Sequence, residues 1–262
     1  MQNASGDVWA VTATYNEADN LPQLAEGITA LGADHGGPLE RPPKLLVIDD
    51  NSPDGTGEIA DRLAADRPDA FAALHRPAKM GYASALQLGM GYALDHEAGA
   101  VITMDADLSH NPDRIPPMLA KLPESDVVIG SRYIPGGGTV NWGMDRKIIS
   151  RTAGALLRLA SGMNVADPSG GFRAYRASIL EAAKFRQITQ QGYSFGYELL
   201  FRCVRAGGTV SEVPITFVDR RFGRSKLSNT IIFEAIGHLF SLAWRRATGW
   251  RSRSAPRRPT TG

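Results

Sequence analysis

One cysteine, Cys203, stands in a chain of 262 residues. A single thiol forms no intrachain disulfide, so the core alone must hold the fold. The cytosol is then the natural compartment. Cys203 falls in an apolar helical pattern and is expected as a core thiol. Long apolar runs are also missing. The longest, Ile231 to Trp244, has 14 residues and contains Glu234 and His238. A bilayer span needs about 20. Met1 to Val8 has neither a basic start nor an apolar stretch, so no signal peptide is expected. Neither sign of charge dominates: the net charge is +2, which excludes a polycation. The Gly-x-Gly-x-x-Gly fingerprint does not follow the first strand. Gly-x-x-x-x-Gly-Lys-Ser/Thr is absent as well. Both absences disfavour dinucleotide oxidoreduction and P-loop chemistry. No repeat recurs at a fixed period.

What remains is an ordinary globular composition, 43% hydrophobic. It suits one α/β domain with a C-terminal extension. Val8 to Thr14 reads as a strand, followed by a helical pattern at Leu21, Leu24, Ile28 and Leu31. His35 to Pro43 is a Gly/Pro-rich loop. Leu45 to Ile48 is a second strand, with a turn at Pro53-Asp54-Gly55 and a helix over Gly57 to Asp66. Phe71 to His75 is a third strand. A helix over Gly81 to His96 follows, despite Gly89 and Gly91. The fourth strand starts at Val101 and ends at Asp105. A Pro-started helix covers Asn111 to Leu122, and Val127 to Gly130 is the fifth strand. This alternation predicts a mostly parallel, Rossmann-like sheet flanked by helices on both faces.

The fourth strand organises the chain. Val101-Ile102-Thr103-Met104 is apolar and mostly β-branched, and Asp105-Ala106-Asp107 follows. Carboxyl ends of strands open onto the crevice where such sheets bind ligands. Two carboxylates at this spacing repel unless a cation lies between them. A divalent ion fits, bridging carboxylates to phosphates. Two other strands end in polar clusters, Tyr15-Asn16-Glu17 and Asp49-Asp50. Arg132, Arg146, Arg220 and Lys226 lie downstream as candidate phosphate contacts. Acids for a metal with cations for phosphates describe a nucleoside-diphosphate site.

Past Gly130 the pattern changes. Pro135 to Gly138 is a loop. Arg146 to Ala160 is a helix with a basic stripe (Lys147, Arg151, Arg158) beside an apolar one. Asp167 to Arg173 runs from a loop into a short strand. Tyr197 to Arg205 is helical, Thr209 to Phe217 a strand, and Ile231 to Trp244 a final apolar helix. From Arg245 onward there are six Arg and no acid, a composition suited to an anionic surface.

Ala-Thr-Tyr-Asn-Glu, Val-Ile-Asp-Asp-Asn-Ser-Pro-Asp-Gly-Thr, Met-Asp-Ala-Asp-Leu-Ser-His and Gly-Ser-Arg-Tyr together resemble the inverting family-2 glycosyltransferases of fold type A. Phe217-Val218-Asp219-Arg220 with Gly223-Arg224-Ser225-Lys226-Leu227 resembles the dolichol- or polyprenol-phosphate mannose synthase branch. The resemblance implies a catalytic domain over residues 1–227, an apolar helix over 228–247 and a basic tail over 248–262. It implies transfer of mannose from GDP-mannose to a polyprenyl or dolichyl phosphate, with Mg2+ or Mn2+. By position it assigns the guanosine to Tyr15, Glu17 and Asp50, with Ala13, Ile48 and Ala106 completing the donor site. The metal falls to Asp105 and Asp107, with Ser109 where some relatives carry a metal-binding Gln. Arg132, Arg146, Arg220 and Lys226 face phosphates, and catalysis rests on Asp107, Arg132 and Arg220. Ala13 departs from the proline common there. Branch members often carry C-terminal transmembrane helices, which this sequence does not show. Attachment to the cytosolic membrane surface, or to a separate membrane-anchoring protein, is therefore expected.

Two alternatives stand beside this reading. One is a hexosyltransferase that uses a UDP-sugar on the same lipid phosphate. The other, from a different class, is a non-catalytic nucleotide-sugar sensor or a nucleic-acid-binding protein. The tail has no recognition-helix motif and no interleaved aromatics, so no nucleic-acid partner is expected.

Overall fold

The computed structural model describes residues 6–192 and 194–218. Arg220, Lys226, the helix expected over Ile231 to Trp244 and the arginine tail lie outside the described residues. The first half alternates as expected: β1 (Val8–Thr14), α1 (Leu21–Thr29), β2 (Lys44–Asp49), α2 (Thr56–Asp66), β3 (Phe71–His75), α3 (Tyr82–Asp95), β4 (Ala100–Thr103), α4 (Ile115–Lys121) and β5 (Val127–Ser131). The second half holds β6 (Gly138–Val140), α5 (Met144–Ser161), β7 (Arg173–Arg176), α6 (Ala177–Ala182), α7 (Ser194–Arg205), β8 (Val210–Pro214) and β9 (Thr216–Val218).

Seven strands form one sheet in the order β3-β2-β1-β4-β7-β5-β8. β1 pairs in parallel with β2 on one side and β4 on the other. β7 alone is antiparallel, wedged between β4 and β5. Side chains alternate across each strand, so both faces are buried. Trp9, Val11, Leu46, Ile48 and Val101 point to the layer of α3, α6 and α7. Ala10, Leu45, Val47 and Ile102 point to the layer of α1 and α4. Each fully buried Leu or Ile contributes roughly 1.5–3 kcal/mol. Gly89 explains how a helix tolerates glycine here: a Cβ would lie 2.5 Å from both Ile48 and Val11. The bare backbone lets α3 settle directly on β1 and β2.

Several boundaries differ from the sequence expectations. β4 ends at Thr103, two residues before Asp105, because its antiparallel partnership with β7 ends at the pair Thr103–Arg173. The expected helix over Asn111 to Leu122 is a 3-10 turn, Pro112–Arg114, followed by α4. Asn111 caps that turn, its side chain accepting from the Asp113 N–H at 2.9 Å. The single strand expected over Thr209 to Phe217 is two: β8 joins the main sheet, while β9 pairs with β6 in a separate ribbon. The loop expected to end at Gly138 therefore stops where β6 begins.

Cys203 sits in α7 and is fully buried. Burial pushes its thiol up to about 12. The reactive thiolate is then scarce near neutrality. A thiol-specific disulfide reagent at pH 8 should label no group in the folded protein and one after denaturation. Stoichiometric labelling of the native chain would contradict this packing.

Candidate active site

The sheet's connections diverge between β1 and β4: β2 and β3 lie on one side, β7, β5 and β8 on the other. At such a switch point the loops leave in opposite directions and open a crevice at the carboxyl ends. The loops after β1, β2 and β4 line it.

The first two loops are tied together. The backbone N–H groups of Asn16, Glu17 and Ala18 donate to Ser52 Oγ (3.1 Å), Thr56 Oγ1 (3.0 Å) and Asp54 Oδ2 (3.1 Å). Asn16 reaches this position with φ of 62°, a left-handed conformation that Asn tolerates better than most residues. Burial works against the Asp54 carboxylate, but the Thr56 hydroxyl and the N–H groups of Ala18 and Thr56 hold it below its ordinary range. Glu17 Oε2 accepts from Asn20 at 2.7 Å. Tyr15 lies half-buried beneath Lys79, whose Nζ is 3.5 Å from the ring centroid.

Asp49 and Asp50 divide their work. Asp49 accepts from Thr14 Oγ1 (3.1 Å) and from the Ser52 N–H (3.0 Å) and hydroxyl (2.6 Å), which shapes the turn. Asp50 is only 5% exposed. It pairs with the Arg76 guanidinium and accepts the Gly81 N–H at 3.0 Å. Arg76 also donates to Ser84 Oγ (2.7 Å) and the Gly81 carbonyl (2.8 Å). Of the other residues assigned to the donor, Ile48 and Ala106 are buried in the two cores, and Ala13 is half-buried against one of them. Their side chains pack inward.

Asp105 and Asp107 stand on the loop after β4, both partly exposed. Asp105 Oδ1 accepts from the Tyr82 hydroxyl at 3.0 Å, and its N–H donates to His110 Nδ1 at 3.0 Å. His110 is buried, stacked on Phe172 with ring centroids 5.0 Å apart. Burial lowers its pKa below the ordinary value. The neutral ring therefore accepts at Nδ1 and steers Asp105. Asp107 Oδ1 accepts from the Ser109 N–H (3.1 Å) and hydroxyl (2.5 Å). Ser109, 2% exposed, braces Asp107. Leu108, at φ of 61°, makes the sharp bend between them.

Among the described residues, no cluster of three or more His, Cys, Asp or Glu could hold a metal. The donor set still fits a divalent ion bound with a diphosphate. Mg2+ and its like take one or two carboxylates plus phosphate oxygens and water, without a closed protein cage. Each Asp carboxylate has capacity for about four interactions, so the braces above leave room for a cation.

Of the candidate phosphate contacts, Arg132 and Arg146 lie among the described residues. Arg132 follows β5 with its side chain 8% exposed, and its Nε and Nη2 both donate to Asp167 at 2.7 Å. Burial opposes both charges, yet the pairing wins: Asp167 lies below the usual carboxylate range and Arg132 above its ordinary value. The N–H groups of Ala166 and Asp167 donate to Glu212 on β8 at 2.8 and 2.9 Å, fixing the loop that carries Asp167. Arg132 also lines a cavity of about 220 Å³ with Tyr133, Thr139, Lys147 and Arg151. Three cations among the lining residues suit an anion. Arg146 lies over Trp142, 4.1 Å from the ring centroid. The sequence reading missed Arg76, Lys79, His110, Asp167 and Glu212. Only His110 stood inside a recognised motif.

Removing one member of a buried ion pair costs about 3–5 kcal/mol, because the other is left uncompensated. Asp167→Ala and Arg132→Ala should each destabilise the fold on that scale. The double variant should lose clearly less than the sum. Additive losses in denaturant titrations would mean that the pair is not coupled.

Residues 9–183 match the family described as "Glycosyl transferase family 2". The undecaprenyl-phosphate mannosyltransferase of Micrococcus luteus is 40% identical over 243 residues, covering 93% of this chain and 96% of that one. The polyprenol monophosphomannose synthase of Mycolicibacterium smegmatis is 38% identical, covering 85% and 82%. In structure the chain is similar to glucosyl-3-phosphoglycerate synthase from Mycobacterium tuberculosis, solved with Mn2+, UDP and glucosyl-3-phosphoglycerate. The TM-score is 0.63 at 18% identity, covering 92% of this chain and 81% of that one. A complex of the same synthase with Mg2+ and UDP gives 0.64. The doubly wound sheet, the two aspartates after β4 and this extent of sequence similarity agree: the chain belongs to glycosyl transferase family 2.

Proposed function

We propose that this chain transfers mannose from GDP-mannose to a polyprenyl monophosphate, with inversion. The observation that carries it is the pair Asp105 and Asp107, presented at the switch-point crevice by Tyr82, His110 and Ser109. Similarity to two polyprenol-phosphate mannosyltransferases over most of the chain supports the lipid acceptor and the sugar.

The reaction asks little of a general base. The acceptor phosphate is already ionised near neutrality. One of its oxygens attacks the anomeric carbon while the bond to the donor diphosphate breaks and GDP departs. Positioning and charge neutralisation then carry the rate. Asp105 and Asp107 would hold a Mg2+ or Mn2+ ion, which offsets charge on the leaving diphosphate. Tyr15 and Glu17 would line the nucleoside end. Lys147 and Arg151, with Arg132 held by Asp167, would face the acceptor phosphate. Arg146, Arg220 and Lys226 would serve as further phosphate contacts.

The acceptor's tail stays in a bilayer, so its phosphate must be met at the surface. Among the described residues, no helix is long and apolar enough to cross a membrane. α5 offers another device. Its Met144, Ile148, Ile149, Leu156 and Leu159 are 47–74% exposed. Lys147 and Arg151 flank that apolar face. An amphipathic helix of this kind lies in the headgroup region with its apolar side down. We place the enzyme peripherally on the cytosolic face, with the arginine tail adding about 1 kcal/mol per residue near an anionic leaflet.

EDTA should abolish formation of organic-extractable lipid-linked mannose, and Mg2+ or Mn2+ should restore it. Asp107→Ala should lose nearly all activity with its circular dichroism unchanged. Full activity in that variant, or a labelled lipid only from UDP-sugars, would overturn the assignment. In flotation with anionic liposomes, the protein should rise at low salt and fall away at high salt. Ile148→Asp with Leu159→Asp should rise less. Equal behaviour of both proteins at every salt would remove α5 from the membrane surface.

A further inference from the structure

We propose that Lys79 reads the nucleobase of the donor and favours guanine; this rests on the nucleotide site proposed above. Residues 76–81 form a strap from the end of β3 to the start of α3. Both ends of the strap are fixed to one buried carboxylate. Asp50 pairs with the Arg76 side chain at one end and accepts the Gly81 N–H at 3.0 Å at the other. The Arg76 N–H also donates to the Asp49 carbonyl at 2.9 Å. Between these clamps Pro77, Ala78, Lys79 and Met80 are exposed. Gly81 closes the strap at φ of 96°, a conformation L side chains rarely adopt.

The clamp sets where Lys79 can go. Its ammonium lies over the Tyr15 ring at 3.5 Å, at the carboxyl end of β1. Among the described residues Lys79 makes no ion pair, whereas Arg76 and Arg132 are both buried against carboxylates. A cation held on an aromatic face is poised for exchange, since that contact is weak when exposed. A base entering beside Tyr15 meets this ammonium, with three donors and no acceptor, and the Glu17 carboxylate, which only accepts. Guanine answers both. It offers O6 and N7 as adjacent acceptors and its 2-amino group as a donor. Adenine sets an amino donor beside N7, which repels an ammonium. Uracil offers a single carbonyl on the corresponding edge. Asp50, buried beneath the strap, acts through it as a positioning residue.

Calorimetric titration of the full chain with GDP, UDP and ADP, each with Mg2+, tests this. Wild type should favour GDP. Lys79→Met should weaken GDP by about tenfold, as expected for a lost charge-assisted hydrogen bond, and change UDP and ADP by less than about twofold. Lys79→Arg should recover most of the GDP affinity, because Arg also donates to O6 and N7. Unchanged GDP affinity in Lys79→Met overturns the proposal. So does an equal loss for all three nucleotides, which would place the ammonium on the shared diphosphate. A wild-type chain that binds none of them overturns the nucleotide site itself, a result distinguishable from both.

Discussion

Parallel pairing of β1 on both of its edges is the constraint on which the rest depends. Its backbone bonds to β2 and β4 leave no free edge. They also set the ends of three strands side by side. The polar groups that leave those ends, near Tyr15, Asp50 and Asp105, then have nowhere to go but one crevice. The chemistry follows from hydrogen-bond register more than from any single residue. A slip of one position would turn Val11 and Ile48 out of one core and into the other.

Within the crevice, charge is handled by containment. Asp50 and Arg76 are buried together, as are Asp167 and Arg132. Such pairs add little net stability compared with apolar packing, but they fix direction. Each pair holds a loop that carries something else: the strap with Lys79 in one case, the wall of the cavity beside α5 in the other. Asp105 and Asp107 are braced by a tyrosine hydroxyl, a neutral imidazole and a serine.

Much of this was legible in the sequence because much of it is local. Short apolar runs mark buried strands, and β1, β2, β3 and β5 fell within two residues of their expected bounds. The two aspartates after β4 were legible for the same reason. What stayed hidden depends on distant partners. The ion pair of Arg132 stayed hidden because Asp167 lies 35 residues away. The pairing of Asp50 stayed hidden because nothing near it announced Arg76. The short strand entered at Arg173 was legible but its place was not, since four residues, Arg-Ala-Tyr-Arg, carry no sign of which strands they will separate or in which direction they will run. Thr209 to Phe217 looked continuous because strand propensity does not register the break at Ile215 between two sheets.

The wedge formed by β7 has a consequence for how the chain emerges from synthesis. β4 and β5 are 23 residues apart in sequence, counting from Thr103 to Val127 less one, yet no bond joins them until β7 slots between them. By contrast, β1 to β4 can pair as soon as they exist. The half of the crevice lined by the loops after β1 and β2 can thus form before the chain beyond α5 is made. The other half waits for Asp167, Arg173 and Glu212. Non-local strand insertion is slow, and until it occurs the inner edges of β4 and β5 stay open. A chain stalled before β7 also lacks β8, so one edge of β4 and both edges of β5 would stand unpaired, the usual template for aggregation.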